Sequence, residues 1–87
     1  MEPFETRDYG LAGYLLAVGI HPTDITLRRP DVFFVYDANP ALMQAIGDYT
    51  GNAPVACRNY FNALRKAKVY VSKIIQGEHY DASKQYI

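Results

Sequence analysis

The segment Asp31-Val32-Phe33-Phe34-Val35-Tyr36-Asp37 runs through five apolar residues, β-branched or aromatic throughout, between two aspartates. Period alone cannot separate a short buried strand from a piece of buried helix, so composition and length arbitrate. Val, Phe and Tyr suit a pleated surface, and five residues is the length of a strand. Alternation sends Val32, Phe34 and Tyr36 to one face and Phe33 and Val35 to the other. Both faces are apolar, which predicts cover on both. The segment is expected to be the central strand of a small sheet.

Working outward, Pro30 precedes the strand, where its missing N–H does least harm. Asn39-Pro40 follows it and predicts a helix start, because Asn caps well and Pro suits the first helical position. Upstream, Asp24-Ile25-Thr26-Leu27-Arg28 alternates polar and apolar, a strand with Ile25 and Leu27 inward. Only Arg29-Pro30 separates the two strands, too short for a parallel crossover, so they pair as an antiparallel hairpin.

Phe4-Glu5-Thr6 is read as a short first strand. Thr6 is expected to cap a helix over Arg7–Val18, with Asp8 in its first turn and Gly19 as its stop. That helix carries a stripe of small residues, Gly10, Gly13 and Ala17. Two interior glycines cost about 1 kcal/mol each relative to Ala, and close packing against the sheet is the expected compensation. Gly10-Leu11-Ala12-Gly13 is no phosphate loop, since it lacks the Lys-Ser/Thr pair and follows no strong strand.

A second helix is predicted from Pro40 to about Tyr49, inward through Leu42, Ala45, Ile46 and Tyr49, and closed by Gly51-Asn52. The third runs from Cys57 to Ile75, inward through Tyr60, Leu64, Ala67, Val71, Ile74 and Ile75, and Gly77 ends it. Arg58, Asn62, Arg65, Lys66 and Lys73 lie opposite, with Tyr70 at their flank and Lys68 at the margin. Residues 1–77 are thus expected to form one α+β domain, order β-α-β-β-α-α, with a two- or three-stranded antiparallel sheet and three packed helices. Residues 78–87 show no period and read as a loosely ordered C-terminal tail.

The run Phe4-Glu5-Thr6-Arg7-Asp8-Tyr9-Gly10-Leu11-Ala12-Gly13-Tyr14-Leu15-Leu16-Ala17-Val18-Gly19, with the Val32–Tyr36 strand and Tyr60-Phe61-Asn62-Ala63-Leu64-Arg65 leading to Lys68, resembles an uncharacterised family of small bacterial and phage domains. The resemblance covers roughly residues 4 to 72 and rests on packing motifs. It implies a fold and a bacterial or phage origin. It supplies no mechanism and no catalytic residues.

Eighty-seven residues make one domain with a thin core, burying roughly 60–65% of the extended-chain surface. A single cysteine allows no internal disulfide, and no apolar run approaches the roughly 18 residues of a membrane span. Met1-Glu2-Pro3-Phe4-Glu5 lacks the basic and apolar regions of a secretion signal, so a cytoplasmic location is expected. Eight tyrosines and no tryptophan suit a core whose boundary is spanned by amphipathic rings.

Net charge is zero, but it is segregated. Residues 1–50 hold three Lys/Arg against seven Asp/Glu, a net of −4, whereas residues 51–77 hold five Lys/Arg and no acid, a net of +5. Catalytic and metal chemistry find little to stand on. His21, Cys57, Glu78 and His79 have no zinc spacing. Cys57 sits at a helix start beside Arg58, as an activated thiol would, but no histidine lies near it in the chain. Asp24, Asp31, Asp37 and Asp48 all fall at turns or element ends, where Asp bonds locally. No catalytic set, cofactor fingerprint or metal site is predicted.

The basic helix is the sharpest feature. A stripe of cations with Asn62 could bind phosphates, pair with the acidic first half of the same or a second copy, or meet another acidic protein. A pI of about 6.7 falls short of a dedicated nucleic-acid binder. The expectation is a non-enzymatic protein-interaction module, self-associating as a homo-oligomer, whose partner surface is the basic face of the third helix or an exposed sheet edge, with no membrane partner. The alternative is a nucleic-acid-binding protein using Arg58, Asn62, Arg65, Lys66 and Lys73.

Overall fold

A computed structural model describes residues 3–80. The expected elements are present: β1 (Phe4–Thr6), α1 (Tyr9–Ala17), β2 (Asp24–Arg28), β3 (Asp31–Tyr36), α2 (Pro40–Thr50) and α3 (Cys57–Ile75). The fold is α+β. Its sheet is three-stranded and antiparallel in the order β1-β3-β2, so the Asp31–Tyr36 strand is central. Phe4 pairs with Tyr36 on one side, and Asp24 pairs with Val35 on the other.

Val32, Phe34 and Tyr36 are buried, with Ile25 from β2 beside them. They meet Leu11, Leu15, Leu42, Ala67, Tyr70, Val71 and Ile74 from the helices in a single core. Fully burying a Val, Leu or Ile side chain contributes about 1.5–3 kcal/mol, so these few residues dominate the stability.

The opposite sheet face is not layered by helices, contrary to the expectation of cover on both sides. Phe33 and Val35 are half-buried there by charged neighbours. The Arg28 guanidinium lies 4.1 Å over the Phe33 ring and pairs with Glu5, bridging the two outer strands across β3. Arg7 pairs with Asp31 at 2.8 Å on the same face. Long side chains with apolar stems do here what a second helical layer would do.

The start of α1 also differs from the sequence reading. Thr6 is held in the β1–β3 ladder opposite Phe34, and Asp8 is the N-cap. Asp8 Oδ1 accepts from the Gly10 and Leu11 N–H groups at 2.9 and 3.3 Å. Thr6 Oγ1 accepts the Asp8 N–H instead. The helix therefore begins at Tyr9 and ends at Ala17, with Val18 as its C-cap.

The small-residue stripe of α1 packs on other helices rather than on the sheet. A Cβ at position 13 would lie 2.7 Å from Leu64 Cδ2 and 3.4 Å from Leu64 Cα, and one at position 10 would collide with Tyr49 Oη. Absence of Cβ at these two sites lets α3 and the Tyr49 ring approach α1 closely. Tyr60 Oη donates to the Gly10 carbonyl at 3.2 Å, fixing α3 against the same turn.

Helix α3 stops as expected. Gly77 adopts φ +96°, its N–H donates to the Ile74 carbonyl, and the Glu78 N–H donates to the Lys73 carbonyl. This paired closure favours Gly for its positive φ. Beyond it, Tyr80 stacks edge-on against Tyr70 at 5.4 Å and donates to the Pro22 carbonyl at 3.1 Å. The remainder of the stretch read as a tail, residues 81–87, lies outside the described residues.

Candidate functional site

Helix α3 presents two faces because its apolar residues recur at three- and four-residue intervals. Ala63, Ala67, Tyr70, Val71 and Ile74 are buried on one side. Arg58, Asn62 and Arg65 are exposed on the other, and Lys66 and Lys73 are half-buried at its edge. Four of the five predicted site residues thus share one continuous surface. Lys73 stands apart near the C-terminus, where it lies 3.8 Å from the Glu78 carboxylate and favourably beside the helix dipole.

Tyr70 does not flank this surface. It is 5% exposed and belongs to the core. The aromatic residue of the basic face is Phe61, which is 59% exposed. The Arg65 guanidinium lies 5.7 Å from its ring centroid, within cation–π range. Val69 is also exposed, and Ile75, expected inward, is 51% exposed. Phe61 could have been placed correctly from sequence: it sits three residues after Arg58 and four before Arg65, so all three share a face.

The electrostatics of the face are one-sided. Among the described residues, no carboxylate pairs with Arg58, Arg65, Lys66 or Lys68. The acidic first half of the same molecule does not neutralise them. Its Glu5 and Asp31 pair instead with Arg28 and Arg7. Arg58 stands in the first turn of α3, which has no acid and no side-chain cap. A cation there opposes the helix dipole by about 0.3–1 kcal/mol. Local helix stability therefore does not account for the charge pattern.

Beside this face is a pocket of about 200 Å³ between the end of α1, the connector and α3. Asn62 and Lys66 line it with His21 and Asn59. Sequence reading missed Asn59, although Asn59, Asn62 and Lys66 fall at i, i+3 and i+7 on one helical flank. His21 had no signal of its own, because the connector's approach to α3 is set by tertiary packing. The space beside the glycine stripe is filled by Tyr49 and Leu64.

Other chemistry is sparse. Cys57 is exposed at the start of α3. Among the described residues, no three His, Cys, Asp or Glu side chains gather to hold a metal ion, and no helix is long and apolar enough to cross a membrane.

Fold and surface together define a small α+β domain with a thin core and a basic helix face whose Arg58, Arg65, Lys66 and Lys68 have no ion-pair partner among the described residues. The chain belongs to the family described as Domain of unknown function (DUF5659), whose model matches residues 1–72. The match takes in the sheet, α1, α2 and most of α3, and stops before Lys73 and Tyr80. No curated protein and no solved structure matches the chain.

Proposed function

We propose that this domain is a non-enzymatic protein-interaction module that docks through the exposed face of α3 onto an acidic protein surface. A second copy of the chain is the first partner to test. The observation carrying this reading is the set Arg58, Arg65 and Lys66, unpaired among the described residues, around an exposed Phe61. Aromatic and arginine side chains together are the usual anchors of protein interfaces. The net −4 of residues 1–50 supplies a complementary surface on a second copy.

A second reading, nucleic-acid binding, is favoured by one feature. Phe61 with Arg65 above its ring, set among cations, has the makings of a stacking platform for a single strand. The zero net charge weighs against it.

A fluorescence titration separates the two. Labelled chain is titrated with unlabelled chain, and in parallel with duplex DNA, single-stranded DNA and RNA, at several salt concentrations. The protein-docking reading expects the chain to bind itself at about 50 mM salt, with Arg65→Glu weakening it about tenfold or more. If nucleic acid binds instead, with log affinity falling against log salt at a slope of about −4, roughly four phosphates are being neutralised and the second reading replaces the first.

A further inference from the structure

We propose that the pocket flanking α3 seats one carboxylate side chain, presented by an acidic segment of a partner protein; this deepens the docking reading above and rests on it. The pocket is formed where the end of α1 and the following connector meet the flank of α3. Leu16, Ala17 and Ala63 are its apolar lining, with Ala63 buried and Leu16 and Ala17 half-buried. His21, Asn59, Asn62 and Lys66 form its rim.

Size suits a single side chain. Sites for small molecules hold roughly 300–1,000 Å³, whereas this pocket holds about 200 Å³, room for a side chain. Chemistry then selects the side chain. The rim supplies one ammonium, two carboxamides and an imidazole, and no carboxylate. Among the described residues none of these four has an ion-pair partner. A lysine or arginine entering would meet Lys66 with nothing to offset it. An apolar group would cover donors without satisfying them, costing about 1–3 kcal/mol for each one buried. A carboxylate carries the opposite charge and about four acceptor sites for the ammonium and the two amide NH₂ groups.

The setting extends the fit. Asn62 lines this pocket and also the open surface formed with Cys57, Arg58 and Phe61. A segment whose carboxylate enters the pocket therefore continues over the Phe61 ring, with Arg58 and Arg65 on hand for further acids. The occupant is an acidic segment rather than an isolated anion.

The test is a ¹H–¹⁵N NMR titration of the full chain with a hexaglutamate peptide, and separately with a short oligothymidylate. Wild type is compared with Lys66→Gln, Ala17→Leu and Lys68→Gln. The expected result is movement of the Asn59 and Asn62 side-chain amide resonances with hexaglutamate. Lys66→Gln, which removes the charge, and Ala17→Leu, which adds bulk to the apolar lining, each weaken binding about tenfold. Lys68→Gln, on the opposite flank of α3, changes it less than about twofold. Three results overturn the pocket: no movement of those resonances, equal weakening by Lys66→Gln and Lys68→Gln, or tighter binding of oligothymidylate than of hexaglutamate. If Ala17→Leu disturbs the fold, which the same spectrum reports, Lys66→Gln and Lys68→Gln decide alone. If Arg65→Glu abolishes peptide binding while Lys66→Gln and Ala17→Leu leave it intact, the docking reading survives and the pocket does not.

Discussion

Tyr36 shows how tightly the core is drawn and where it is imperfect. Its side chain is 1% exposed, and its hydroxyl is a buried oxygen with no hydrogen-bond partner among the described residues. Burial, and then the neighbouring Tyr80 phenol, push its pKa well above the ordinary tyrosine value of 10.0. A buried unmade hydrogen bond is a standing cost, so Tyr36→Phe is expected to leave stability unchanged or raise it by up to about 1 kcal/mol in urea unfolding. Loss of more than that would mean the hydroxyl has a partner. The pH sign follows from linkage. Above the ordinary value near pH 10, the unfolded chain loses this proton while the folded chain keeps it. Wild-type stability should therefore be full below about pH 10 and fall as pH rises beyond it, less steeply in Tyr36→Phe. At this scale the caps were legible where one candidate stood alone, as with Asn39, whose Oδ1 accepts the Leu42 N–H at 2.8 Å. They were ambiguous where two capping types lie close together. Thr6 and Asp8 both qualify, and Thr6, which also ends the first strand, is held by its pairing with Phe34, leaving the cap to Asp8.

Among the elements, the α1–α3 contact organises the molecule, and Gly13 is its closest point. A side chain there gains helix propensity but forces Leu64, which lies within 3.0 Å of the new Cβ through its Cγ, to move. Gly13→Val is expected to cost about 2–3 kcal/mol in urea unfolding. Leu64→Ala should recover at least about 1 kcal/mol of that in the double variant, since it removes the group the new side chain strikes. Additive losses would place the strain elsewhere. The glycine stripe was plain in the sequence, but its partner was not, because a close approach names no neighbour. The central strand shows the same division. Alternation correctly grouped Val32, Phe34 and Tyr36, while the screening of Phe33 by Arg28 and Glu5 joins residues 23 positions apart. The inner face of α3 was readable from its period, but Tyr70 and Ile75 sit at the margins of the wheel. For such residues the direction of the neighbouring helix, not the spacing, decides burial.

Over the whole molecule, charge is the property that connects structure to function. The separation of −4 and +5 was visible in the sequence. Whether the two halves neutralise each other depends on tertiary distance, and the α3 cations Arg58, Arg65, Lys66 and Lys68 have no ion-pair partner among the described residues. A contact between the basic helix of one copy and the acidic half of another joins two different surfaces. Made reciprocally, such a contact closes a two-fold dimer; made in one direction only, it propagates into rings or open chains. The pocket beside α3 was illegible in advance, because it needs the connector carrying His21 to be placed against Asn59 and Lys66. Phe61 separates a docking surface from an ordinary solvated helix most sharply. It is exposed, so its removal should leave the fold intact, and it lies where a hydrophobic anchor would be. The measurement is sedimentation velocity of wild type and Phe61→Ala at about 50 mM salt, from about 10 µM to about 1 mM protein. Docking through α3 predicts that the wild-type sedimentation coefficient rises with concentration while Phe61→Ala, folded by circular dichroism, stays at the monomer value. A wild type that remains monomeric throughout, or a Phe61→Ala that associates equally well, would contradict self-association through this face.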